Sequence, residues 1–156
     1  MILGLAYDLL DHYLDQPDYG WTTKLQDWFE ARLAGGVEYL KQAKASPAKV
    51  GPSLKPAGYA GRYRDPWYGD VVIADGAKGL TIDFTSTPRM AGRLKHWQYD
   101  SFVTEFDDPA IEPAYVTFEL DADGNETGVT MKPVSMIADF SWDYQDLDLK
   151  PVEDKK

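Results

Sequence analysis

Short segments in which every second residue is apolar, separated by glycine-rich turns, fill residues 58–149 of this chain. The alternation is clearest in residues 80–85 and 116–121. A period of two places successive side chains on opposite faces of a β-strand, so these segments are predicted to be half-buried strands. Asp75-Gly76 and Asp123-Gly124 each lie between two such segments, and Asp-Gly is typical of hairpin connections.

The pattern predicts eight strands, near residues 58–64, 68–75, 78–85, 91–97, 101–107, 114–121, 127–133 and 138–149. In the last segment Phe140, Trp142 and Tyr144 share one face, whereas Leu147 and Leu149 fall on the other, which predicts a bulge or the strand end near residues 145–146. Eight antiparallel strands form a barrel that has either a filled core or room for one small ligand. The residues predicted to line this lumen, and to bind any ligand, are Tyr63, Phe84, His96, Trp97, Phe102, Phe118 and Trp142.

Two helices are predicted before the barrel. In the first, apolar residues recur at three- and four-residue spacing over residues 3–14, and Pro17 ends the segment. Asp18 is the predicted N-cap of the second helix, whose apolar face starts at Trp21 and which Gly35-Gly36 weakens. The fold class is therefore mainly β, an eight-stranded antiparallel barrel preceded by two α-helices.

Proline and glycine cluster in residues 46–57, which are predicted to be a linker. The chain then divides into a helical segment at 1–45, the linker, a barrel at 58–150 and a tail at 151–156. A length of 156 residues suits one barrel with a helical appendage.

The net charge of -10 is concentrated in residues 101–156, which carry fourteen acidic and four basic residues. A surface of that sign repels phosphate backbones and anionic lipids, so no nucleic-acid or membrane partner is expected. The opening residues do not resemble a signal peptide, and the chain is expected to be soluble. The absence of cysteine excludes disulfides and thiolate metal sites without fixing the compartment.

Catalytic motifs are incomplete. Ser46-Pro-Ala-Lys49 matches the Ser-x-x-Lys of β-lactamases, but Gly51-Pro52 follows at once and would break the helix that this geometry requires. Asn125 is the only asparagine, with Asp123 at the position where a serine or tyrosine is needed. No catalytic residue is therefore assigned.

Other polar clusters have simpler interpretations. His96, Asp100 and Ser101 are too close in sequence to converge as a triad, so a packed, hydrogen-bonded histidine is expected. Residues 121–126 (DADGNE) have oxygen ligands at alternate positions, but their glycine and the distant Lys132 do not fit a calcium loop. The sequence predicts a hairpin turn there, and neither a metal nor a cofactor is expected.

Residues 94–102 (LKHWQYDSF) and 139–144 (DFSWDY) resemble the lipocalin-like domain that follows the catalytic domain in β-lactamase-related serine hydrolases. Gly61-Arg-Tyr63 is similar to the Gly-x-Trp of lipocalins. Residues 5–11 (LAYDLLD) and 17–21 (PDYGW) resemble the end of the hydrolase catalytic domain. The resemblance implies a non-catalytic accessory domain that shapes access to an active site or supports assembly.

Three function classes remain open: this accessory domain, a free-standing lipocalin-like module for a small apolar ligand, and an enzyme, for which no constellation is found. A large enclosed cavity would favour the binding module. Partners are expected to be a β-lactamase-like catalytic domain or a second copy of the chain, in a homo-oligomer formed through residues 1–33. A periplasmic or secreted location would follow if the chain is part of an exported hydrolase.

Overall fold

The computed structural model describes residues 2–45, 50–135, 138 and 142–152. The chain divides into two compact units, residues 1–42 and residues 43–156. Within the described residues, neither helix combines the length and the apolar character needed to cross a membrane.

The first unit contains helix α1, Ile2–Tyr13, and helix α2, which begins at Trp21 and runs to Ala45. Asp8 of α1 caps the start of α2: its Oδ1 accepts the backbone N–H of Trp21 at 2.7 Å and its Oδ2 that of Thr22 at 3.1 Å. A carboxylate at this position satisfies two helix N–H groups that have no partner in their own helix. Asp18 was the predicted cap; it instead accepts the N–H of Gly20 at 2.9 Å, in the turn before the helix.

Gly4 allows the two helices to touch. A Cβ atom added at this buried glycine would lie 2.7 Å from the Cα of Thr22, a separation that real Cβ atoms do not reach. Gly35-Gly36 was expected to weaken the second helix, but α2 continues through both glycines. Helix continuity therefore follows the surrounding helix-forming residues and not the local glycine penalty.

The second unit is a closed antiparallel barrel in which each strand pairs with its sequence neighbours and the last pairs with the first. The strands are β1 (Gly61–Asp65), β2 (Gly69–Gly76), β3 (Gly79–Phe84), β4 (Ala91–Gln98), β5 (Ser101–Phe106), β6 (Ala114–Leu120), β7 (Glu126–Pro133) and β8 (Asp148–Pro151). The predicted fold class of two helices followed by an eight-stranded barrel is confirmed. Both predicted Asp-Gly hairpins are present, between β2 and β3 and between β6 and β7.

The eighth strand was predicted too long. It was placed at residues 138–149, whereas β8 covers only Asp148–Pro151 and is preceded by a 3-10 turn at Tyr144–Asp146. Only Tyr63 and Arg64 of β1 have registered partners on β8, so the seam that closes the barrel is short. Phe140, which was part of the predicted alternation, lies outside the described residues.

The interior of the barrel is filled with side chains from all eight strands. Its largest fully buried members include Tyr63, Ile73, Ile82 and Leu149. At Gly92, β4 lies so close to β5 that an added Cβ would be 2.3 Å from the carbonyl oxygen of Glu105. The described core is therefore built from buried side chains of the strands that surround it.

The two ends of the barrel differ. At one end, here named the closed end, the segment 50–59 packs beside the turn at residues 99–100, and the 3-10 turn Pro56–Gly58 leads into the fully buried Tyr59. Consecutive hairpin turns of an up-and-down barrel alternate between ends. The connections 66–68, 85–90 and 142–147 therefore lie at the opposite end, here named the open end.

Candidate functional site

Four of the predicted lumen residues, Tyr63, Phe84, Phe102 and Phe118, are buried inside the barrel. The rings of Phe102 and Phe118 lie 5.6 Å apart, and Tyr59 contacts both at 5.2 and 4.7 Å. These edge-on and tilted contacts are the favourable geometry for aromatic rings. Near the closed end the predicted lumen is therefore a packed aromatic core, and ligand binding by these residues stays a prediction.

Trp97 lies apart from that group. Its ring packs at 5.5 Å against Tyr115, and it follows the exposed Arg93 and Lys95 at alternate positions of β4. The ammonium group of Lys132 lies 5.5 Å from the Tyr115 ring. Because alternate side chains of a strand face opposite sides, Trp97 belongs to an aromatic cluster on the outer surface of the barrel.

His96 is half-buried, with its ring 5.4 Å from that of Phe102 and its Nε2 2.8 Å from the carbonyl oxygen of Tyr99. The hydroxyl of Ser101 is paired with that of Thr117 at 2.8 Å. The histidine thus has the packed, hydrogen-bonded environment that the sequence interpretation expects, and Ser101 is engaged elsewhere.

Asp100 ties the closed end together. Its two carboxylate oxygens accept hydrogen bonds at 2.8 Å from the backbone N–H and the hydroxyl of Ser53. The Tyr59 hydroxyl also donates to Asp100 and accepts the Leu54 N–H at 3.0 Å. Burial opposes ionisation, but the hydrogen bonds from Tyr59 and Ser53 outweigh it and hold the pKa of Asp100 below its ordinary value of 3.8. Asp100 and Ser53 therefore fasten the entering chain to the barrel.

Two other candidate clusters have structural roles or fall outside the described residues. The carboxylate of Asp121 accepts the backbone N–H groups of Asp123 and Asn125 at 2.9 and 2.8 Å, which is a hairpin turn as predicted. Within residues 2–45, 50–135, 138 and 142–152, no group of three potential metal ligands is assembled. Ser46 and Lys49 lie outside the described residues.

A pocket of about 130 Å³ lies at the open end of the barrel. Phe84, Met90 and Leu147 are the buried residues that form its floor. Tyr68 and Trp142 form exposed or half-buried parts of the wall. Of the predicted lumen residues, Phe84 and Trp142 are therefore the two that this pocket brings together.

The wall of the pocket also contains Tyr144, whose ring stacks on Trp142 with an interplanar angle of 20° and a centroid separation of 6.1 Å. The Tyr144 hydroxyl donates to the carbonyl oxygen of Glu112 at 2.7 Å, and burial raises the pKa of this phenol. Tyr144 is therefore a neutral and fixed wall of the pocket at physiological pH.

A buried carboxylate supports the other wall. Both Trp67 and Tyr68 donate their backbone N–H groups to Oδ1 of Asp65, at 2.7 and 2.9 Å, and Asp148 donates its N–H to Oδ2 at 3.0 Å. Burial works against the charge, yet these three N–H groups lower the pKa of Asp65 below 3.8. The β1–β2 turn is thus fixed, and it presents the indole of Trp67 with 93% of its surface exposed.

Sequence reasoning did not find Tyr68, Met90, Tyr144 or Asp143, although all four line the pocket. Tyr144 was assigned to a strand face. All four lie in connections between strands, where a period of two gives no information about which way a side chain points. The run of aromatics before a short final strand was the one available signal.

The strand order defines a class, the closed up-and-down antiparallel β-barrels. A family model described as "Domain of unknown function (DUF3471)" matches residues 45–151, and the chain belongs to this family. No curated protein and no solved structure matches the chain.

Proposed function

We propose that this chain is a non-catalytic accessory domain of a β-lactamase-related serine hydrolase, which shapes access to the active site or supports assembly. The observation that carries the proposal is the apolar surface of the helical unit. Leu5, Leu9, Leu10 and Leu14 are each about half exposed or more, and Tyr13 is 80% exposed. Contiguous apolar surface of this kind is typical of a surface that packs against a partner.

The second helix adds to this surface. Trp28, Phe29 and Leu33 are exposed on α2, and Phe29 and Leu33 have the four-residue spacing of one helix face. Burying a leucine or phenylalanine side chain stabilises a structure by about 1.5–3 kcal/mol. The two helices would therefore be stabilised more by packing against a partner than by remaining exposed to water.

The barrel supports a binding role better than a chemical one. His96 and Ser101 are hydrogen-bonded to Tyr99 and Thr117, and Asp100 is saturated by donors from the entering chain. The purified chain is therefore expected not to hydrolyse activated esters, β-lactams or short peptides above the buffer rate. Turnover that disappears in Ser46→Ala would contradict the proposal.

Light scattering tests the helical surface. The isolated chain is expected to form a symmetric dimer through residues 1–33, because pairing of identical patches is the commonest closed solution. Leu10→Lys and Leu14→Lys should each convert the dimer to a monomer. Thr130→Lys is the matched control, since it adds the same charge at an exposed polar position of β7, outside residues 1–33. A chain that is monomeric at every concentration would remove the main physical support for the proposal.

The coding sequence upstream of this chain gives the second test. An adjoining domain with Ser-x-x-Lys and Tyr-x-Asn motifs would support the hydrolase association. A complete unrelated gene in that position would favour a free-standing module instead.

The second candidate function is a lipocalin-like module for a small apolar ligand, favoured by the open-end pocket. An engineered apolar cavity of about 150 Å³ binds benzene, whereas drug-sized ligands need about 300–1,000 Å³. The pocket of about 130 Å³ therefore suits a group of a few carbon atoms and no larger. Weak quenching of tryptophan fluorescence by such ligands would support this function, and no response to a broad panel would contradict it.

A further inference from the structure

We propose that the open-end pocket binds a small alkylammonium ion, with the cation against the aromatic walls and beside the carboxylate of Asp143. This inference names the ligand class for the binding-module candidate and rests on it. Aromatic and acidic side chains at the mouth of one small cavity carry the argument.

Aromatic rings supply most of the wall. Tyr68, Trp142 and Tyr144 line the cavity above the floor that includes Phe84. The face of an aromatic ring is negative and attracts a cation within about 6 Å of its centroid, most strongly when the ring is tryptophan. The stacked pair of Trp142 and Tyr144 presents two such rings to one small volume.

Asp143 places a carboxylate among these rings. It lines the cavity, is half-buried, and has its Oδ1 held at 2.9 Å by the side-chain amide of Gln145. The nearest cationic side chain in the adjoining connection, Arg89, is paired with Asp108 at 3.2 Å. Asp143 therefore supplies the charge among the residues that line this cavity, and that charge is negative.

The size and the mostly apolar lining of the site determine which cations fit it. A metal ion needs several oxygen ligands, whereas this lining is mostly hydrocarbon and aromatic. An ammonium carrying methyl groups is weakly hydrated, and its methyl groups can occupy the apolar floor while its charge remains near Asp143. About 130 Å³ accommodates a trimethylammonium group. Carboxylate and phosphate ligands are repelled by the same charge.

The test compares choline with 3,3-dimethylbutan-1-ol, in which a carbon atom replaces the nitrogen, by following the indole N–H signals in an NMR titration of the full chain. The chain has five tryptophans, and Trp142→Phe assigns the relevant signal. Choline should shift the Trp142 signal at a concentration about tenfold lower than the neutral isostere. Asp143→Asn should reduce choline affinity about threefold or more and leave the isostere unchanged.

Asp146→Asn is the matched control, because Asp146 is an exposed acid in the same 3-10 turn. It should change choline affinity less than about twofold, because Asp146 does not line the cavity and an exposed charge interacts weakly through water. Equal affinity for choline and the isostere would overturn the cation inference and leave the binding module standing. Failure of both ligands to shift the Trp142 signal, with the circular dichroism of the fold intact, would overturn both.

Discussion

Asp65 is expected to be the polar residue on which the open end of the barrel most depends. Its side chain is 96% removed from solvent, being 4% exposed, and accepts three backbone N–H groups. Two of these belong to the β1–β2 turn and the third to Asp148, 83 residues later at the start of β8. One carboxylate therefore joins the first turn of the barrel to its last strand.

The substitution Asp65→Asn, which replaces the carboxylate by an amide of the same shape, shows how much stability this residue contributes. Asp65→Asn keeps one acceptor oxygen, so at least one N–H group faces an amide NH2 in place of an oxygen. A hydrogen bond to a charged group contributes about 1.5–3 kcal/mol, and an unsatisfied buried donor costs about 1–3 kcal/mol. The free energy of unfolding should therefore fall by about 2–4 kcal/mol.

Urea denaturation at pH 7, followed by near-ultraviolet circular dichroism, measures this loss. With a slope of about 1–3 kcal/mol per molar urea, the midpoint should fall by about 1–2 M. Asp83→Asn is the matched control, because Asp83 is exposed on β3 and should change stability by no more than about 0.5 kcal/mol.

The pH dependence adds an independent check. The pKa of Asp65 is lower in the folded protein than its ordinary value of 3.8, so its contribution is complete above that pH. It is lost as the pH falls through the lower pKa of the folded state. The difference between the unmodified protein and Asp65→Asn should therefore shrink in acid. An unchanged midpoint at pH 7, or a difference that does not vary with pH, would refute the reasoning.

Three further substitutions test other parts of the structure. Gly92→Ala should destabilise the barrel by about 2–4 kcal/mol, because its Cβ would meet the backbone of Glu105 at 2.3 Å. Gly76→Ala is the control and should fold normally, since its Cβ would be 3.7 Å from its nearest neighbour. Urea denaturation compares the two variants. Burial raises the pKa of Glu126 above 4.5, so its charge disfavours folding at neutral pH. Glu126→Gln should raise the thermal unfolding midpoint at pH 7, and equal midpoints at that pH would contradict this prediction. The gain should vanish below pH 4.5, where Glu126 is protonated in both the folded and the unfolded state. Asp8→Ala should lower the helical signal in far-ultraviolet circular dichroism, unlike the exposed Asp27→Ala, because only Asp8 caps α2.

The strands that the sequence predicted best are those whose two faces have different environments. In β3, Leu80, Ile82 and Phe84 are buried and the residues between them are exposed, so the period of two is visible in the chain itself. The Asp-Gly hairpins were equally readable, because Gly124 adopts a positive φ of 83° that glycine tolerates without strain. Local chemistry was sufficient in these cases.

The extent of the final strand was predicted wrongly because aromatic residues two positions apart occur both on one face of a strand and in a turn. Trp142 and Tyr144 are two residues apart, as they would be on one face of a strand, but here they stack over the end of the barrel around a 3-10 turn. Their environment comes from Phe84 and Met90, residues more than fifty positions earlier. A pattern confined to one segment cannot distinguish these two arrangements.

The hydrogen-bond partners of two other acids, Asp8 at the start of α2 and Asp100 at the closed end, could not be predicted from a local pattern either. Asp8 caps a helix thirteen residues away, and Asp100 binds Ser53 across 47 residues. Both acids have a plausible local interpretation in the sequence, as a helix-surface charge and as a neighbour of His96. Only the fold reveals which distant N–H groups they satisfy, because a carboxylate accepts from any donor that reaches it.

The two ends of the barrel are held in place by different sets of hydrogen bonds. Asp100, Ser53 and Tyr59 fix the entering chain at the closed end with hydrogen bonds, and the aromatic core beside them is packed. At the open end, Asp65 fixes the turn that bears Tyr68, and the Tyr144 hydroxyl is fixed by Glu112. The walls of the pocket are therefore held in place before any ligand arrives, which lowers the entropy cost of binding. Because the chain enters at the closed end, a small cation can occupy the open end without displacing the segment that leads into the barrel.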